Sequence, residues 1–162
     1  MEQVKEARKQ LSELSELVAT GDVAMLTTKT VDGHLRSRPM EVCFVSDRCK
    51  IFFFAETSDE LIADLTDHNH VSLNFINEAD DNYTSVSGIA QLSKNNGDMA
   101  AFWQNRDQRW VHGGLEDPSC VLIKINAIYA EHWSFSGVVR NIIKFITIGK
   151  KGPGLIHEKL YA

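Results

Sequence analysis

A chain of 162 residues with 43% hydrophobic and 24% charged residues has the make-up of one ordinary globular domain and can bury a core without covalent staples. Its formal net charge of −5 works against a general nucleic-acid surface, which needs a basic field to displace counterions. No apolar run approaches the roughly 20 residues of a membrane span, and the first twenty residues are charged and amphipathic with no leader-like apolar stretch, so the expectation is a cytoplasmic protein with neither nucleic-acid nor membrane partners.

Residues Val4 to Ala19 read as an amphipathic helix, with Val4, Ala7, Leu11, Leu14, Leu17 and Val18 on one stripe. Thr20-Gly21-Asp22 stops it. Val23 to Thr28 is a short β-rich run, and Val31-Asp32-Gly33 is a hairpin signal leading into a second strand that carries Arg36 and Arg38. Ser46-Asp47-Arg48 is a further turn. Lys50 to Ala55 is a third strand whose run Ile51-Phe52-Phe53-Phe54 predicts burial on both faces. Thr57 or Ser58 can cap a short helix with Leu61, Ile62 and Leu65 facing inward.

His70 to Ile76 alternates as a strand with one wet face, and Glu78 to Asn82 is a polar loop. Tyr83 to Ser93 is another alternating strand with Gly88 at its centre, where a bulge or a close backbone approach is expected. Asp98 to Trp103 should be helical, and Asn105 to Pro118 reads as a loop holding Trp110 and Gly113-Gly114. A final strand starts at Cys120 and continues past Ile128 toward Trp133. Closely spaced antiparallel strands with few crossovers predict a mainly β chain, a small barrel of six strands. Two parts follow: a barrel domain over residues 1–135 and a basic tail over 136–162. In the tail, Val138 to Ile148 is expected to form a helix docked on the barrel or on a second subunit, ended by Gly149 to Gly154.

Chemistry-bearing patterns are sparse. Cys43, Cys49 and Cys120 are odd in number and lack CxxC spacing, which argues against a disulfide framework or a zinc site. His68 and His70 stand two apart with no acid or cysteine completing a metal set. GxSxG, GxGxxG and GxxxxGK[ST] are absent. Arg36 and Arg38 remain. They share a strand face with Met40, Val42 and Phe44, so they are either solvated charges at a strand's end or the holders of an anion.

Along the chain stand LRSRPM, VSLNF, SVSGIAQL, FW followed by Gly113-Gly114 and Asp117-Pro118, VLIKI and EHW. In that order they resemble the general-stress-protein branch of the pyridoxamine 5′-phosphate oxidase-like, flavin-binding split-barrel family, from the first helix to about Trp133. The resemblance implies a six-stranded antiparallel split barrel that forms a homodimer, with flavin mononucleotide (FMN) in two clefts at the dimer interface. It places Arg38 near the flavin phosphate or tail, with Arg36, Ser37, Thr57 and Ser58 as the supporting cation and hydroxyls. Pro39 and Met40 then run beside the isoalloxazine ring, and Trp110 and Trp133 border the cleft. Asp59 and Glu60 depart from the family pattern, Glu60 standing where a lysine is expected. The activity implied is a flavin-dependent oxidation or reduction of a small molecule; no residue stands out as its acid or base. The alternative is a flavin-free split-barrel dimer, a binding or stress-response module for another ligand.

Overall fold

Alternating apolar residues between tight turns make antiparallel strands, and the computed structural model, which describes residues 14–46, 48–134, 139–144 and 159–160, assembles nine of them into one sheet. With the helices between them, the elements in chain order are β1 (Val23–Lys29), β2 (Leu35–Glu41), β3 (Phe44–Ser46), β4 (Lys50–Glu56), α1 (Glu60–Asp67), β5 (His70–Asn77), β6 (Asn82–Ser93), α2 (Asn96–Phe102), a 3₁₀ turn (Asn105–Arg109), β7 (Cys120–Ser134), β8 (Val139–Lys144) and β9 (Lys159–Leu160). Residues 14–17 are helical, with Leu14 and Val18 buried in the core; the rest of the expected first helix lies outside the described residues.

Seven strands lie on one path, β2-β1-β5-β6-β7-β4-β3, while β8 pairs with β7 and β9 with β8. The two ends of that path belong to one continuous segment. Between β2 and β3, the Val42 N–H donates to the Asp22 carbonyl and the Cys43 N–H to the Phe52 carbonyl, so the chain changes partner from the β1 side to the β4 side within two residues. That hand-over closes the sheet on itself. It also splits the expected second strand in two, because one strand cannot keep both neighbours without bending.

The six strands expected in the barrel are therefore corrected to seven among the described residues, the second being split in two, with β8 and β9 added from the tail. The tail is corrected as well: residues 139–144 form β8, not a helix, and pair antiparallel with residues 129–134 across the expected 135/136 boundary. β7 runs for 15 residues and its end beyond β4 has an open ladder edge; the β-branched Val139, Ile142 and Ile143 suit a strand there. Residues 138 and 145–148 of the expected helix lie outside the described residues.

β4 divides two cores, as its aromatic run predicts. Ile51, Phe53 and Ala55 join the barrel interior with Leu26, Val42, Leu73, Val86 and Ile123. Phe52 and Phe54 face the other way, into a second cluster with Met99, Val111 and Leu122, where Trp103 meets Phe54 edge-on at 5.0 Å. The β6–β7 register shifts between Ser87 and Gly88, a bulge at the glycine expected to carry one. A Cβ at Gly88 would lie 2.5 Å from the Asn126 carbonyl oxygen, so close approach is the reason for the missing side chain. No helix among the described residues is long and apolar enough to cross a membrane.

Candidate functional site

Pairing with β1 sets Arg36 opposite Thr28 and Arg38 opposite Leu26. Both arginines share the inward row of β2 with buried Met40, whereas Leu35, Ser37 and Pro39 take the exposed outward row. α1 packs against β1 and buries Leu61, Asp64 and Leu65. Its carboxylates Glu60 and Asp64 stand one turn apart, about 6 Å along the helix axis; two arginines two apart on a strand are separated by about 6.6 Å. The spacings match, and each carboxylate meets an arginine.

Arg36 Nη1 donates to Glu60 Oε2 and lies 4.0 Å from Asp64 Oδ2. Arg38 Nη2 donates to Asp64 Oδ2 at 3.0 Å, and the buried Thr28 hydroxyl donates to the same oxygen at 3.0 Å. The two pairs differ in environment: the Asp64 and Arg38 side chains are 5% and 19% exposed, the Glu60 side chain 80%. The inner pair is locked by burial and a second donor. The outer one is a solvent-exposed contact of the kind worth about 0–1 kcal/mol. Arg38 Nη1 is sealed from solvent and has no hydrogen-bond partner among the described residues.

The remaining expected site residues do not converge on this point within one chain. Ser37 Oγ and Thr27 Oγ1 hydrogen-bond at 2.7 Å on the outward face, beside Pro39. Thr57 and Ser58 lie in the exposed turn before α1, and neither caps it. The N-cap is Asp59, which makes no side-chain cap bond; its carboxylate instead accepts the Glu56 backbone N–H at 3.1 Å. Thr57 is committed elsewhere, its N–H donating to the Ser119 carbonyl at 2.8 Å.

Trp110 ends the 3₁₀ turn and packs against the main core, with an indole N–H that is buried without a partner among the described residues. That turn is pinned by Glu41, a buried carboxylate at the end of β2. Glu41 accepts from Arg106 Nε at 2.8 Å and also pairs with Arg109. Asp107, between them, is fully buried, and burial pushes its carboxyl above the usual carboxylate range. Trp133 lies opposite Tyr83, which in turn lies opposite Ile76. This row belongs to the Val23 end of β1, away from Arg36.

At that far end lies a concavity of about 870 Å³ lined by Glu16, Asp22, Glu78 and Asp80 with Asn82, Thr84 and His132. His132 Nδ1 bonds the Thr84 hydroxyl at 3.0 Å, and burial lowers its pKa. Four carboxylates make this mouth repel a phosphate. Arg36 and Arg38 stand at the opposite end of the β1–β2 pair, whereas Arg106 and Arg109, on the Val23 side, are taken up by Glu41. Among the described residues no His, Cys, Asp and Glu group is arranged to hold a metal ion.

Asp64 and Thr28 escaped the sequence reading. The signal that could have found Asp64 was the i, i+4 spacing of Glu60 and Asp64 on a short helix near two strand arginines; Thr28 had none, since a lone threonine in a β run is ordinary.

A family model described as pyridoxamine 5′-phosphate oxidase like matches residues 9–152. A curated relative, Protein bli-3 of Neurospora crassa, is 25% identical over 155 residues, spanning 86% of this chain and 74% of the relative. Among solved structures, a Clostridium acetobutylicum protein related to general stress protein 26 superposes with a TM-score of 0.70 at 18% identity, covering 85% of this chain and 95% of that one. The general stress FMN/FAD binding protein of Xanthomonas citri superposes with a TM-score of 0.65 at 22% identity, covering 91% and 98%. At such identities the likeness of these two structures is one of fold.

Proposed function

The chain belongs to the pyridoxamine 5′-phosphate oxidase-like family, and on that footing we propose that it binds a flavin as a homodimer and supports redox chemistry on a small molecule. The observation that carries the reading is the guanidinium pair Arg36 and Arg38 on the inward row of β2, in a chain whose fold is shared with a flavin-binding stress protein. A bound flavin would supply the electron and hydride transfer. The chain's own part would be to hold the flavin's tail at the arginines and keep its ring away from water.

The arginines fit such a tail in kind, a fork-shaped guanidinium being what a phosphorylated or polyhydroxylated group asks for. They fit a phosphate poorly in charge, because Glu60 and Asp64 already neutralise both arginines. The homodimer is supported by the outward sheet face, where Val23, Met25, Leu35 and Ile76 are exposed, an apolar surface that association would cover. A second copy is also the simplest way to bring Trp133 near another chain's arginine end. The test is an absorption spectrum of the purified protein before and after dialysis against riboflavin and against FMN, with sedimentation in parallel. A retained visible flavin band on a dimer supports the reading; a colourless protein that takes up neither flavin refutes it. That second result would favour the flavin-free module, the reading to which the Arg36–Glu60 contact points.

A further inference from the structure

We infer that Glu60 sets the charge of the ligand tail this site accepts, excluding a phosphate monoester and favouring a flavin whose side chain ends in a hydroxyl; the inference rests on the flavin reading above. Arg36 and Arg38 are matched by Glu60 and Asp64, so the inward end of β2 presents two cations and two anions. A phosphate must therefore displace a carboxylate to gain a guanidinium. Asp64 cannot leave, being buried and held by both Thr28 and Arg38. Arg38 has little more to give, since its Nη1 is enclosed by protein.

Arg36 is then the cation an incoming anion can reach, at 43% exposure, and Glu60 is seated on it. Swinging Glu60 aside is easy for an exposed side chain, yet it does not remove the charge. The backbone of α1 is anchored by buried Leu61 and Leu65, so the carboxylate stays within a side chain's length of Arg36 and of anything bound there. A carboxylate beside a phosphate is a like-charge contact that weakens binding. A hydroxyl meets the same pair without conflict, accepting from the guanidinium while donating to the carboxylate. An ion pair is a complementary surface for a polyol and a poor one for a dianion.

The experiment compares the full-length wild-type chain with Glu60→Gln, a near-isosteric change at an exposed position. Riboflavin and FMN affinities are read from quenching of flavin fluorescence. In parallel, inorganic phosphate is titrated while the Arg36 side-chain Nε–H resonance, assigned by its loss in Arg36→Lys, is followed by NMR. Wild type should bind riboflavin at least as tightly as FMN, and Glu60→Gln should raise FMN affinity about tenfold, the worth of one charge-assisted contact, while riboflavin gains nothing. Phosphate should move the Arg36 resonance at about tenfold lower concentration in the variant. Wild type preferring FMN by tenfold, or equal phosphate titrations in the two proteins, overturns the role of Glu60. Failure of either protein to bind riboflavin or FMN overturns the flavin reading instead, and the phosphate titration still decides the charge question.

Discussion

Replacing Asp64 by alanine removes the acceptor on which two elements converge. The Thr28 hydroxyl, 1% exposed, loses its partner at 3.0 Å, and an unsatisfied buried hydroxyl costs about 1–3 kcal/mol. Arg38 loses its counter-ion at 3.0 Å and keeps Nη1 unpaired. Breaking a fully buried ion pair costs about 3–5 kcal/mol, but the Arg38 side chain is 19% exposed, so water recovers part of that. These effects overlap on one carboxylate and are not summed; the expected loss is about 3 kcal/mol. For a chain of this size that lowers the melting temperature by about 6–12 °C. Urea unfolding followed by circular dichroism at a fixed protein concentration measures it, the concentration being held because a dimer's stability depends on it. Asp64→Asn, which keeps an acceptor for Thr28 but drops the charge, should lose about half as much. In an Arg38→Met background the cost of Asp64→Ala should shrink by at least about 1 kcal/mol. A loss within about 0.5 kcal/mol of wild type, the ordinary range of surface changes, would refute the assignment of Asp64 as the lock between α1 and the barrel.

Gly88→Ala should destabilise by about 1–3 kcal/mol, because the added Cβ meets the Asn126 carbonyl oxygen at 2.5 Å and Ile125 Cγ2 at 2.8 Å, and a backbone atom in a ladder cannot step aside; an unchanged denaturation midpoint contradicts this. Glu56 accepts the His112 backbone N–H at 2.7 Å and faces its ring Nδ1 at 3.1 Å, and these bonds hold its carboxyl below the ordinary value of 4.5. A depressed folded pKa contributes stability that is complete above the unfolded value and lost as pH falls through the folded one. Wild type should therefore lose stability as pH falls below 4.5, and Glu56→Gln should flatten that slope; parallel pH profiles would count against the His112 contact. Burial pushes the Cys49 and Cys120 thiols up to about 11 and raises Cys43 further. Native protein in mildly alkaline buffer should accordingly react slowly with a thiol reagent until it is unfolded, and rapid modification of buried Cys43 or Cys120 without unfolding would show that these positions open.

Much of the architecture is legible residue by residue. The alternation of Val71, Leu73 and Phe75, the continuous Ile51 to Phe54 run and the central glycine of Tyr83 to Ser93 each state a local requirement: one face wet, both faces buried, no room for a side chain. The structure meets all three. Taken alone, Val138 to Ile148 suits an apolar helix face as well as a strand; for residues 139–144 the open ladder edge of β7 favours the strand, and that edge exists only once β7 has outrun β4.

The site divides in the same way. That Arg36, Arg38 and Met40 share one row and Ser37 and Pro39 the other follows from the two-residue period of a strand, and is decided by the sequence alone. Which anion answers the arginines is not. Glu60 and Asp64 lie more than twenty residues away along the chain, and their fit to Arg36 and Arg38 depends on α1 crossing the end of the inward row with its rise matched to the strand's. Sequence sets which side chains can share a face because that depends only on the bond geometry between neighbours. The tertiary fold decides which faces meet, because that depends on how the whole sheet closes, and here it closes by handing one strand from β1 to β4 at Val42 and Cys43.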